Sequence, residues 1–262
     1  NNVSTTQFDV VVTDNELPVI ANTPADISVN NDLGICGAVV TWTLPTASDN
    51  CDVDTLVSNH NSGDEFPVGT TTVVYTATDI YNNVSTTQFD VVVTDDELPV
   101  IAGTPADISV NNDLGICGAV VTWTLPTASD NCDVDTFVST HNSGDEFPVG
   151  TTTVVYTATD IYNNVSTTQF DIVVTDNELP VIANTPVDIN VNNDLGICGA
   201  VVTWTLPTAS DNCSVDTLVS THNSGDVFPV GTTTVVYTAT DIYNNVSTTQ
   251  FDIVVTDNEL PV

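Results

Sequence analysis

Carboxylates recurring at a fixed spacing are the groups in this sequence best placed to do chemistry. Asp14-Asn-Glu-Leu-Pro18 returns as Asp95-Asp-Glu-Leu-Pro99 and as Asp176-Asn-Glu-Leu-Pro180. With each copy go an Asp-Asn pair before a cysteine (Asp49 and Asn50, Asp130 and Asn131, Asp211 and Asn212) and an Asp-Ile-Tyr-Asn segment (Asp79 and Asn82, Asp160 and Asn163, Asp241 and Asn244). Side chains of this kind are ligands for a hard divalent cation, and calcium takes six to eight oxygens from carboxylates, amides and main-chain carbonyls. The chain has 35 Asp plus Glu and no Lys or Arg, so it holds no fixed basic group to neutralise converging acids. The same imbalance excludes nucleic acid and anionic membrane surfaces as partners. Catalysis has little to stand on. Ser58, His60 and Asp64 supply triad residue types but crowd one turn, where base, nucleophile and orienting acid cannot line up, and no fixed cation awaits an oxyanion. The expectation is a protein that is not an enzyme.

The segments that position these groups repeat as well. Asn-Asn-Val-Ser-Thr-Thr-Gln-Phe-Asp begins at Asn1, Asn82, Asn163 and Asn244, and Trp42, Trp123 and Trp204 keep the same 81-residue period. This spacing divides the chain into the end of a preceding repeat (1–14), three modules (15–95, 96–176 and 177–257) and the start of a following one (258–262). Alternation in Phe8–Val12, Ala38–Trp42 and Thr72–Ala77 gives strands with Phe8, Trp42 and Tyr75 facing inward, and nothing has a helical period. About seven short strands per module, separated by Asn, Gly, Asp and Pro turns, match one immunoglobulin-like or fibronectin-like sandwich. The fold class is therefore all-β, with tandem sandwiches arranged as beads in a rod. No apolar run is long enough for a membrane-spanning helix and no signal peptide is visible, so direct membrane insertion is not expected.

Gly34-Ile-Cys-Gly-Ala-Val-Val-Thr-Trp42, Ala47-Ser-Asp-Asn-Cys51, Phe66-Pro-Val-Gly-Thr-Thr-Thr-Val73 and Tyr75-Thr-Ala-Thr-Asp79 together resemble the hyalin repeat (HYR) module over nearly the whole chain. The resemblance implies an immunoglobulin-like domain used in tandem in extracellular and bacterial surface proteins, hence a secreted or cell-surface location. Family members usually carry four cysteines per module, and here the positions near Thr23 and at Thr87 are not cysteine. The paired loss implies that those two positions are partners. The remaining cysteines are then expected to bridge within each module, Cys36 to Cys51, Cys117 to Cys132 and Cys198 to Cys213. Two cysteines per module at fixed spacing in a chain of secreted character agree with that pairing.

In such a sandwich the entering linker and two loops share one pole. Each pole then gathers Asp14, Glu16, Asp49, Asn50, Asp79 and Asn82 or Asn83, or their counterparts (Asp95, Glu97, Asp130, Asn131, Asp160, Asn163; Asp176, Glu178, Asp211, Asn212, Asp241, Asn244). Calcium at these module junctions would resemble, in logic, the acidic Pro-ended linkers of cadherins. Asn2, Asn83, Asn164 and Asn245 open Asn-Val-Ser sequons for N-glycans, and Asn212-Cys-Ser is another. A glycan on Asn83 and a calcium ion at its pole exclude one another. The function expected is an extracellular structural protein, a calcium-stiffened rod or filament with an adhesive or matrix role, partnered by neighbouring copies of itself. Two alternatives remain: an adhesin displaying loops to a carbohydrate or cell-surface protein, and a fibre subunit assembled by strand donation. Outward Val11 and Val74 would give an apolar stripe for lateral contact if the rods bundle or form a filament.

Overall fold

The computed structural model describes residues 1–260, and among them every regular element is a β-strand. Of the expected following repeat, residues 261 and 262 lie outside the described residues. The chain divides into two compact units, residues 1–102 with 127–138 and 157–167, and residues 103–126 with 139–156 and 168 onward. The first repeat belongs wholly to the first unit and the third to the second. The middle repeat contributes to both: its entry loops pack with the first repeat, and its exit loop packs with the third.

Eight strands build the first repeat: β1 (Val19–Ala21), β2 (Ile27–Asn30), β3 (Gly37–Val39), β4 (Thr46–Ser48), β5 (Val53–Ser58), β6 (Glu65–Pro67), β7 (Gly69–Asp79) and β8 (Val84–Thr94). One sheet runs β2-β8-β7-β5, with β8 antiparallel to β7 and parallel to β2. Facing it are two short antiparallel pairs, β1 with β4 and β3 with β6. The third repeat has the same order in Ile189–Asn192, Val246–Thr256, Gly231–Asp241 and Val215–Ser220. Thr and Val dominate β7 and β8 because β-branched side chains suit a pleated, half-buried surface. Their alternation puts Val73, Tyr75 and Ala77 with Phe89, Val91 and Val93 into the core, against Ala38, Val40 and Phe66 of the opposite layer. Trp42 closes that core edge-on to Phe89 at 5.2 Å, and its Nε1 donates to Tyr75 Oη at 2.8 Å. Gly37 lets β3 approach β6, since a Cβ there would sit 2.5 Å from the Phe66 carbonyl oxygen.

The inward rows do not stop at apolar residues. The row Val73, Tyr75, Ala77 continues to Asp79, which is 1% exposed, and the row Phe89, Val91, Val93 continues to Asp95, at 5%. Strand periodicity thus carries a carboxylate into each end of the sandwich.

Three expectations are corrected. Residues 3–13 repeat the β8 sequence yet form no strand, and Phe8 is 85% exposed while its counterparts Phe89, Phe170 and Phe251 are buried. A strand needs its ladder, and among the described residues no strand flanks this copy. The disulfides also differ. Cys36 bonds to Cys132 and Cys117 to Cys213, each across 96 residues and from one repeat to the next, while Cys51 and Cys198 are free thiols. Cys36 follows β2, whose end pairs with the end of β8, whereas Cys51 precedes β5, whose start pairs with the last residue of β7. The eleven-residue hairpin between those ends is about 33 Å long, far beyond the roughly 7 Å Cα separation a disulfide spans. Within a repeat, then, the two cysteines sit at opposite poles. The third correction is the ligand set: neither Asn82 nor the glutamates Glu16, Glu97 and Glu178 join the carboxylate clusters. The inferred partnership of Thr23 and Thr87 is visible as a side-chain hydrogen bond of 3.2 Å, repeated at Thr104–Thr168 and Thr185–Thr249.

Candidate functional site

Three separate loops deliver carboxylates to the entry pole of each repeat. In the first, Asp14 comes from the linker, Asp49 from the β4–β5 loop and Asp79 from the end of β7, with one oxygen of each within 4.8 Å of the others. Asp95, Asp130 and Asp160 converge in the same way where the first repeat meets the second. At the third pole Asp176 and Asp211 converge beside the Cys213 sulfur, which its disulfide removes from the ligand set. Asp241 stands alongside, linked through Asn245, whose Nδ2 donates to both Asp241 Oδ2 and the Asp176 carbonyl.

Asp79 is fixed by its turn. Its Oδ1 accepts from the backbone N–H of Tyr81 and Asn83, and its Oδ2 accepts from Asn83 Nδ2 at 2.8 Å. Burial opposes the charge, yet these hydrogen bonds outweigh it and hold the Asp79 carboxyl below its usual range. Asp95 goes the other way: burial pushes its carboxyl up, and the charges of Asp130 and Asp160 add to the rise against hydrogen bonds from Asn131 and the Glu97 N–H. Around each pole the hydrogen-bond inventory is incomplete. Among the described residues, the buried side-chain oxygens or nitrogens with no hydrogen-bond partner are Asp14 Oδ2, Asp49 Oδ1, Asn131 Oδ1, Asp176 Oδ2, Asp211 Oδ1 and Asn212 Oδ1. All six belong to these three poles. An orphaned buried acceptor costs about 1–3 kcal/mol, and more when charged. Clustered acceptors with no donors are what a cation satisfies, so the residues fit a calcium ion.

Not every expected ligand joins the cluster. Asn82, Asn163 and Asn244 take left-handed backbone conformations (φ 70° to 72°) that close the turn after Asp79, Asp160 and Asp241, and the next residue supplies the inward amide. Of these adjacent asparagines only Asn83, Asn164 and Asn245 reach the pole. Asn50 is exposed, whereas Asn131 and Asn212 lie in formed joints, each donating to the linker aspartate and to a carbonyl of the preceding repeat, Ile35 or Ile116, at 3.2 Å. The glutamates turn away from the carboxylates. Glu97 Oε1 accepts from the Gly34 N–H at 2.6 Å and from Asn31 Nδ2, reaching back into the loop that carries Cys36, and Glu178 does the same to Gly115 and Asn112. Glu16 is exposed, its N–H donating to Asp14. Each joint therefore combines an acidic pole, a glutamate strap and a disulfide. Cys132, 3% exposed, lies beside Asn131, whose Nδ2 sits 3.4 Å from its sulfur, so the bridge and the acidic pole share one loop.

The HYR domain family model matches residues 13–93, 94–174 and 175–255. Hyalin of Lytechinus variegatus is 40% identical over 231 residues, covering 86% of this chain and 43% of that protein. Hyalin of Strongylocentrotus purpuratus is 36% identical over 268 residues, covering 98% of this chain and 22% of that protein. The chain spans less than half the length of either relative. Among solved structures, protocadherin gamma B7 extracellular cadherin domains 1–4 align at 16% identity over 90% of this chain and 76% of that one, with a TM-score of 0.32. Mouse cadherin-23 EC22–24 aligns at 15% identity over 93% and 100%, also at 0.32. Likeness at that level bears no weight for function.

Proposed function

The chain belongs to the HYR domain family, and we propose that its repeats build a non-catalytic extracellular filament whose joints are held by an inter-repeat disulfide and a calcium ion. The observation that carries this reading is the coincidence, at every entry pole, of converging carboxylates with buried oxygens that have no hydrogen-bond partner. Asp95, Asp130, Asp160 and the free Oδ1 of Asn131 would hold the ion at the first joint, and Asp176, Asp211 and Asn212 at the second. Calcium supplies charge neutralisation there and ties the linker to two loops, in a chain that carries no Lys or Arg for either task. Similarity to the hyalins and the disulfides support an extracellular setting, because such bonds persist in oxidising compartments. Similarity to the hyalins and the tandem repetition support an adhesive or matrix role with neighbouring copies as partners.

The two clamps divide the work. The disulfide closes a loop of about 100 residues, worth roughly 4–5 kcal/mol in the chain-entropy account, and keeps adjacent repeats together with or without calcium. Calcium then sets the bend. Melting curves and small-angle scattering of the oxidised chain, in calcium and then in excess chelator, test this. The expected result is a lower melting temperature and a smaller maximum dimension on chelation; curves that superimpose would remove calcium from the account.

A further inference from the structure

One asparagine in each formed joint touches the disulfide with one end and the acidic pole with the other. Asn131 Nδ2 donates to the Ile35 carbonyl at 3.2 Å and to Asp95 Oδ1 at 3.3 Å, and it lies 3.4 Å from the Cys132 sulfur. Ile35 directly precedes Cys36, so this single amide group spans both halves of the Cys36–Cys132 bridge. Its Oδ1 is a buried acceptor without a hydrogen-bond partner, beside the Asp95 and Asp130 carboxylates. The second joint repeats the arrangement. Asn212 Nδ2 donates to the Ile116 carbonyl and to Asp176 Oδ1 and sits 3.5 Å from the Cys213 sulfur, while Asn212 Oδ1, Asp211 Oδ1 and Asp176 Oδ2 have no partner. Asp176 is 5% exposed, so its free oxygen is enclosed without a donor. Each bridge also reaches its pole through the main chain: the N–H of Cys132 donates to Asp130 Oδ2 and that of Cys213 to Asp211 Oδ2, both at 2.9 Å.

We propose that bridge and calcium site are coupled through Asn131 and Asn212: closing Cys36–Cys132 or Cys117–Cys213 raises the calcium affinity of its joint, and bound calcium makes the bridge harder to reduce. The proposal rests on calcium occupying these poles. With the bridge closed, the Asp130–Asn131 arm is held against the Ile35 loop of the preceding repeat, next to the linker aspartate Asp95, and the ligands are ordered before the ion arrives. With the bridge open, hydrogen bonds alone hold that arm in place, and calcium must bear the entropic cost of ordering it. The two equilibria form one thermodynamic cycle, so whatever factor the closed bridge adds to calcium binding, calcium adds to the stability of the bridge. A joint of this kind hardens where calcium is plentiful and loosens only when the ion is withdrawn and a reductant is present together.

Opening the bridge is a two-electron exchange with a dithiol. One thiolate of the reductant attacks the sulfur of half-buried Cys36 and expels the thiolate of Cys132, which is buried and takes up a proton. The second thiol of the reductant gives up its proton and attacks the reductant sulfur of the mixed disulfide, expelling Cys36 as a thiolate that is protonated in turn. One protein disulfide is reduced to two thiols while the dithiol is oxidised to a cyclic disulfide.

The test uses the 262-residue chain with Cys51→Ser and Cys198→Ser, which leaves the four bridged cysteines as its only ones. Calcium is titrated calorimetrically into the chelator-washed chain, oxidised and then reduced with dithiothreitol, with circular dichroism reporting the fold in both states. Bridge potentials are read separately, by alkylation and mass in dithiothreitol redox buffers, with chelator and with saturating calcium. Affinity is expected to fall at least about tenfold on reduction, and calcium is expected to lower the potential by about 30 mV for each factor of ten. Asn131→Asp with Asn212→Asp keeps an oxygen at each pole and removes the nitrogen that reaches the Ile35 and Ile116 carbonyls, so the ratio between oxidised and reduced chains should shrink to about threefold or less. Cys36→Ala with Cys132→Ala should weaken the first joint and leave the second; loss at both marks general unfolding and would overturn the proposal. An oxidised chain that takes up no calcium would overturn the calcium joint and this proposal with it. Equal affinity with bridges closed and open, a potential that calcium does not move, or an undiminished ratio in the asparagine variant would overturn the coupling and leave the calcium joint standing.

Discussion

Stretching the chain by its ends separates repeats stapled across their joints from repeats stapled internally. The bridges Cys36–Cys132 and Cys117–Cys213 overlap along the sequence. The shortest covalent route therefore runs from the N-terminus to Cys36, crosses to Cys132, returns to Cys117, crosses to Cys213 and continues to the C-terminus. About 100 of the 262 residues lie on that route, and at ~3.5 Å each they extend to about 360 Å when every strand is pulled out. Reduction puts the whole chain under load, about 910 Å. Bridges within each repeat would hide only about 45 residues and leave about 760 Å. Optical-tweezer contour lengths before and after adding a thiol reductant read these values directly, and the expected ratio is about 2.5. An oxidised chain that unfolds to about 760 Å would refute the pairing across joints. The consequence for function is that the bridges, not the folding energy of the sandwiches, limit extension.

Three further outcomes follow. Asp95→Asn removes a carboxyl whose ionisation the fold disfavours, because a folded pKa above the unfolded value costs stability as pH rises through the window between them, from about 3.8 upward. Without calcium the variant should melt above the parent at pH 7 and lose that advantage near pH 4, while with calcium it should melt below it; differential scanning calorimetry at two pH values reads both signs. Thr23→Cys with Thr87→Cys should bridge on oxidation, since the two hydroxyls are already 3.2 Å apart, and stabilise the first repeat by about 4 kcal/mol through the closed loop of some 65 residues, measured by denaturant unfolding. Expressed in a glycosylating host, the folded chain should carry no glycan at Asn83, Asn164 or Asn245, whose Nδ2 atoms are hydrogen-bonded at the poles, as intact-mass and glycopeptide analysis would report.

Strand alternation made the sandwich legible, and it placed Tyr75 correctly because β7 has a partner on each side, while Trp42, beyond the end of β3, is held against the core by the hydrogen bond it donates to Tyr75 Oη. Phe8 failed for want of those partners. The poles were legible too, since linker and loops share an end once the sheet order is known. Followed two residues further, the inward rows of β7 and β8 would also have given the burial of Asp79 and Asp95. The disulfide register was misjudged because a short sequence spacing stood in for a spatial one. Residues 37–48 cross the sandwich once between Cys36 and Cys51, and a single crossing puts its two ends at opposite poles. The exchange of Asn82 for Asn83 turns on a left-handed φ that two adjacent asparagines satisfy equally well on paper.

Isothermal titration of calcium into the oxidised, chelator-washed chain, beside a variant carrying Asp95→Asn and Asp176→Asn, tests the joint most directly. The account predicts saturable binding by the parent and loss of the two joint sites in the variant, with both disulfides intact by mass. A parent that binds no calcium, or a variant that binds it equally well, would contradict it.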